Sequence, residues 1–163
     1  MTIRTELPFL AGVDDEEQPV FESLPVEIVD PSNHSVRLLQ SPLFARNLAA
    51  GDKIKVINPA TAEYELLQRS GNLSLRVFRK QQIEELAEWL SPAVEKMGGT
   101  LDTQTERALV FSIHFSIGFS SIEALFNKAC TDYPQTVWYY GNVYDPTDGT
   151  TPLLWWQDFD SLD

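Results

Sequence analysis

Asn72-Leu-Ser-Leu-Arg-Val-Phe-Arg79 and, just after it, Ile83-Glu-Glu-Leu-Ala-Glu-Trp-Leu90 decide the fold, because the apolar period changes between them. In the first, Leu73, Leu75 and Val77 alternate with Ser74, Arg76 and Phe78, as a strand with one core-facing side requires. From Lys80 to Lys96 the spacing becomes helical. Ile83, Leu86, Ala87, Leu90 and Val94 share a stripe, with Glu84, Glu85, Glu88 and Glu95 opposite. Gly98-Gly99 ends the helix, since glycine adopts a left-handed C-cap without steric cost.

Toward the C-terminus, Thr100–Thr103 and Arg107–Phe115 read as a hairpin around Gln104-Thr-Glu106. Ser120-Ser-Ile-Glu123 has capping-box spacing and opens a second helix, with Ile122, Leu125, Phe126, Ala129 and Tyr133 as its apolar face. Pro134 closes it, and Thr136–Tyr144 is the last strand. Residues 72–144 therefore run strand, helix, strand, strand, helix, strand. The expected class is α+β: a ferredoxin-like βαββαβ unit with two helices on one face of an antiparallel sheet.

Toward the N-terminus, residues 25–71 read as a small β-rich meander or partial barrel. Val26–Val29 and Ser35–Gln40 flank the turn Asp30-Pro-Ser-Asn-His34, and Lys53–Ile57 pairs with Glu63–Leu67. Between them, Ser41-Pro42 at N-cap and first helical position predicts one or two helical turns over 41–49. Residues 1–24 read as an acidic arm around the self-repelling run Asp14-Asp15-Glu16-Glu17. Residues 145–163 form an acidic aromatic tail, whose Trp155-Trp156 pair is expected to pack on the body or on a partner.

The 163 residues, 43% of them apolar, support one compact domain or one domain with a β-rich extension. The net charge of −12 is concentrated at the ends. Residues 1–36 hold eight acids against Arg4, and residues 132–163 hold six acids and no base, leaving the middle near neutral. Phosphate backbones are bound by Lys and Arg displacing counterions, so acidic ends argue against nucleic acid and favour a basic protein partner. The lone Cys130 cannot form an internal disulfide, which fits a reducing compartment, and it is expected as a buried thiol. No apolar run reaches the ~18 residues that cross a bilayer, and residues 1–8 lack a signal-peptide pattern. A cytoplasmic protein away from membranes is the expectation.

No catalytic or metal constellation is visible. His34 and His114 lack a ligand pattern, Asp145-Pro-Thr-Asp148-Gly149 has the wrong spacing for a calcium loop, and no glycine-rich phosphate cradle exists. No cofactor is expected. Two groups remain. Arg76, Ser112 and His114 fall on the second face of the two central strands, with Ser74 beside them. Left bare they form a polar patch able to hold an anion; covered by residues 25–70 they are satisfied buried groups. RNA-binding sheets of this topology place stacking aromatics there, and these residues do not serve. Trp138, Tyr140, Trp155 and Trp156 are the candidate anchors for a protein partner.

Ser41-Pro-Leu-Phe-Ala, Ala50-Gly-Asp-Lys-Ile-Lys-Val and Arg69-Ser-Gly-Asn-Leu-Ser-Leu-Arg-Val together resemble the core pattern of a bacterial family of small proteins classed as a domain of unknown function. Gly51, Asp52, Ser70, Gly71, Asn72 and Arg76 carry the resemblance, which is best over residues 25–80. It implies a fold and transfers no chemistry.

The functional expectation is a non-enzymatic protein-binding module, of the immunity or antitoxin type, that inhibits a basic partner. The alternatives are a small-ligand sensing domain, in which Arg76 and His114 make the contacts and copies pair edge to edge as a homodimer, and an enzyme of unrecognised class.

Overall fold

A computed structural model describes residues 3–160, with the side chain of Asp160 left aside. The outermost residues of the predicted arm and tail, 1–2 and 161–163, lie outside the described residues. The described residues are mixed α+β, with two antiparallel sheets and three α-helices.

The first sheet is a five-stranded meander in chain order: β1 (Ile3–Val13), β2 (Pro19–Asp30), β3 (Ser35–Leu38), β4 (Lys53–Asn58) and β5 (Glu63–Gln68). Phe9, Leu24, Val26, Val36, Leu38 and Ile54 point inward and form a small core with Ala45 and Leu48 from the 39–52 segment. Phe9 of β1 meets Tyr64 of β5 edge to face at 5.7 Å, so the two edge strands approach each other without pairing.

The second sheet has the order β7-β8-β6-β9, from β6 (Asn72–Arg79), β7 (Thr100–Gln104), β8 (Ala108–His114) and β9 (Thr136–Tyr140). Helices α1 (Ile83–Lys96) and α2 (Phe119–Asp132) share its core face. There Leu73, Leu75 and Val77 meet Leu86, Leu90 and Val94 of α1 and Ile122 and Phe126 of α2. Among the described residues no helix is long and apolar enough to cross a membrane.

Several local expectations change. The stretch read as an arm forms β1 and the start of β2, joined by a turn in which Asp14 Oδ1 accepts the N–H groups of Glu16 and Gln18, each at 2.9 Å. The four acids self-repel, but they sit in a turn where their side chains stay in water and Asp14 supplies the turn's acceptor. Residues 41–49 are irregular rather than helical, because the N–H groups of Leu43, Phe44 and Ala45 are taken by Glu22, that of Asn47 by the Gly141 carbonyl and that of Ala49 by Asp52, instead of by preceding carbonyls. The second helix starts at Phe119 with Gly118 as N-cap; Ser120 caps nothing, and Glu123 accepts instead from the Tyr140 hydroxyl. The last strand ends at Tyr140, and Tyr144 makes an isolated bridge with Pro152. Cys130 is half-buried rather than buried.

Candidate functional site

The second face of the β6/β8 pair is covered by residues 39–52, which cross it on their way from β3 to β4. This seam is polar and almost fully bonded. Ser41 Oγ lies 2.6 Å from Ser112 Oγ and accepts the Ala50 N–H at 3.0 Å. Asp102 of β7 accepts from the Ser41 N–H at 2.7 Å and the Ser112 hydroxyl at 2.5 Å. Glu22 of β2 accepts three successive N–H groups, of Leu43 at 2.7 Å and of Phe44 and Ala45 at 3.0 Å each. One carboxylate thus turns this segment onto the sheet, since backbone N–H groups in a buried crossing must find acceptors.

Asp52 anchors the other end. Its carboxylate accepts from Ala49 N–H at 3.0 Å and Ser70 N–H at 2.9 Å. Burial raises its pKa against the lowering effect of those two bonds and of nearby Arg69. Ser70 Oγ and Asn72 Nδ2 both donate to the Ala50 carbonyl. Gly71 is in the left-handed region at φ +95°, and a Cβ there would lie 2.4 Å from the His114 imidazole, so only glycine fits. Of the residues carrying the family resemblance, Gly51, Asp52, Ser70, Gly71 and Asn72 meet at one joint, while Arg76 holds the Phe44–Ala45 end of the crossing segment. Their common task is to tie the crossing segment to β6.

The predicted polar patch is not open. Arg76 is 2% exposed and donates to the carbonyls of Phe44 (3.2 Å) and Ala45. Ser112 is bonded within the seam as above. His114 stands apart at the end of β8, its Nδ1 2.8 Å from Ser116 Oγ, with its ring over Gly71. The crossing segment bonds Arg76 and Ser112, whereas His114 is bonded to Ser116.

None of the four predicted aromatic anchors is an exposed side chain. Trp155 is buried and donates its indole N–H to the Asn142 carbonyl at 2.9 Å, and Trp156 leans on Phe119 at 4.9 Å between ring centres. Tyr140 is buried with its hydroxyl on Glu123; burial first, then that bond, pushes its pKa up. Trp138 is half-buried and donates to Asn127 Oδ1 at 2.9 Å. The tail packs on the body: Trp155 and Phe159 both meet Phe115. Aromatic residues near a terminus gave no signal distinguishing an anchor from a core side chain.

The sequence reading missed the exposed surface that the hairpin creates. Leu10 pairs with Phe21 and Val13 with Pro19 across β1 and β2, so these four share the face turned away from Phe9 and Leu24. Leu10, Val13 and Phe21 are 52%, 67% and 43% exposed, and the row ends at the acidic turn Asp14–Glu17. The alternation of Ile3, Leu7 and Phe9 with Arg4, Glu6 and Pro8, and the turn chemistry of Asp14, were the signals available. Among the described residues no group of three His, Cys, Asp or Glu side chains could hold a metal ion.

The profile of a family described as "Domain of unknown function (DUF4265)" matches residues 22–134. That range includes Glu22, the joint around Asp52, and Arg76, and leaves out β1 and the hairpin turn. A structure titled "Novel crystal structure of a hypothetical protein from Neisseria gonorrhoeae" is similar with a TM-score of 0.62 at 18% identity, covering 86% of this chain and 94% of that one. At that identity the likeness speaks to fold alone. No curated protein matches.

Proposed function

We propose that this chain, which belongs to the DUF4265 family, is a non-enzymatic protein-binding module whose docking surface is the outer face of the β1–β2 hairpin. Its partner is a basic protein, and the finer form of the reading is an inhibitor of the immunity or antitoxin type. The β6–β9 half, with its strand-helix-strand-strand-helix-strand order, is read as the ferredoxin-like scaffold that holds the hairpin in place.

The observation that carries this is the row Leu10, Val13, Phe21 standing exposed beside four consecutive acids. Isolated exposed apolar side chains are ordinary, but a contiguous row on one face of a hairpin is what an interface core uses. The flanking acids and the net charge of −12 select the sign of the partner and speed its encounter. The four tryptophan and tyrosine residues first read as anchors support the scaffold instead.

The test is affinity capture from a lysate of the organism of origin, comparing the full chain with a Leu10→Ser, Val13→Ser, Phe21→Ser variant. The expected result is a basic protein held by the full chain, lost by a variant that melts at an unchanged temperature, and weakened by 0.5 M salt, about a 4 Å screening length. A partner held equally by both chains would overturn the docking surface, and no salt-sensitive basic partner at all would overturn the function.

A further inference from the structure

A second site, independent of the hairpin, lies on the other flank of the crossing segment. Between residues 46 and 149 is a cavity of about 290 Å³ lined by Arg46, Arg76, Tyr139, Tyr144, Asp145 and Gly149. Arg76 forms its inner wall. Its guanidinium is 2% exposed, yet it makes no ion pair among the described residues. Two of its nitrogens reach the Phe44 and Ala45 carbonyls, while Nε has no hydrogen-bond partner; nor does the buried Ser74 Oγ beside it. Both lie so close over Gly141 that a Cβ there would meet each at 2.8 Å, so a larger residue would have to displace them.

Burying a guanidinium without a carboxylate costs several kcal/mol, which carbonyl acceptors offset only in part. A second arginine lines the same space. Arg46 is exposed, donates to the Pro146 carbonyl at 3.3 Å, and makes no ion pair among the described residues. Glu22 lies near Arg76, but its two oxygens are taken by the Leu43–Ala45 N–H groups. Asp145 contributes one negative charge to the wall and accepts from the Thr147 N–H at 2.8 Å. Among the lining residues two guanidinium groups stand against that one carboxylate; Glu22, outside the lining, keeps its own charge and offsets part of the excess. Two tyrosine rings, of Tyr139 and Tyr144, flank the opening.

We propose that this cavity binds a small organic anion, a carboxylate or a phosphate monoester, with Arg46 and Arg76 as the charge contacts and Tyr139 and Tyr144 beside its carbon skeleton. Arginine suits this role because its planar donor set matches both anions and stays charged. The volume lies at the bottom of the range for small-molecule sites, about 300 Å³, so the ligand is a single small group rather than a dinucleotide. Asp145 on the wall disfavours polyanions.

The experiment is calorimetric titration and thermal melting of the full chain with phenyl phosphate and with benzoate, against sodium chloride at matched ionic strength. The expected result is saturable binding of at least one probe, with a rise in Tm that chloride does not give; which one binds identifies the anion. Arg46→Gln, at an exposed position, is expected to keep the unliganded Tm and weaken binding at least tenfold. The hairpin triple variant is expected to bind the probe unchanged, so failure here and failure of the docking surface are separable. Absence of saturable binding by both probes, or binding unaltered in Arg46→Gln, would overturn the site.

Discussion

The second sheet is covered on both faces, by α1 and α2 on one and by residues 39–52 on the other, whereas the first sheet curls over its own small core and sends its longest hairpin into water. Both are antiparallel sheets with alternating apolar side chains. They differ in what neighbours each strand. On β6 every side chain from Leu73 to Val77 is buried, including Ser74 and Arg76, because a helix layer lies under one row and the crossing segment over the other. Along the distal part of β1 and β2 only Phe9 is buried, and Leu10, Val13 and Phe21 meet solvent. The lesson is that alternation predicts a strand, while its exposure depends on segments distant in sequence.

That contrast can be broken at single positions. Phe126→Ala removes a ring that meets Phe111 edge to face at 5.6 Å in the helix-covered core, and is expected to cost about 3–5 kcal/mol in chemical denaturation. Phe21→Ala on the hairpin is expected to cost within about 0.5 kcal/mol, since little is packed on it. Comparable losses at the two sites would erase the distinction.

The joint is tested next. Asp52→Ala orphans the buried N–H groups of Ala49 and Ser70, an expected loss of about 3 kcal/mol. Its titration sharpens the point. Burial lifts the Asp52 pKa above the ordinary 3.8, so the folded chain holds that proton more tightly than the unfolded one. Ionising Asp52 therefore costs stability as pH rises from 3.8 through the folded value. Asp52→Asn is expected to remove that part of the pH dependence in melts across this window.

The smallest effect sits in the tail loop. The Thr151 hydroxyl, then the Thr151 and Thr150 N–H groups, hold the Asp148 carboxyl down at about 2. A depressed folded value means that its contribution is complete above 3.8 and is lost as pH falls through about 2. Amide shifts of Thr150 and Thr151 are expected to titrate at that low value, and at the ordinary one if the loop bonds do not form in solution.

How much of this was legible follows the same division. The six elements from β6 to β9 could be read because Leu73–Val77, Ile83–Val94 and Leu109–Ile113 each hold one period long enough to declare it. The hairpin could not, because four adjacent acids look disordered until one notices that Asp14 can close a turn with its own side chain. The predicted helix at 41–49 failed for a nonlocal reason: Glu22, some twenty residues earlier, takes the N–H groups a helix would have used. Arg76 was singled out as a polar residue on the second sheet face, but its neighbour in the cavity, Arg46, belongs to the crossing segment. No spacing rule links residue 46 to residue 76.

The central claim is that residues 39–52 belong to the rigid body with β6 and β8, while the hairpin beyond Phe9 and Leu24 is an ordered but separately opening ribbon. Hydrogen–deuterium exchange followed by peptide mass spectrometry tests it directly. The expected pattern has amides 43–52 exchanging at the slow rate of β6, and amides 10–21 exchanging faster than these yet slower than an unstructured chain. Amides 43–52 exchanging in step with the hairpin tip, or a tip with no protection at all, would contradict it.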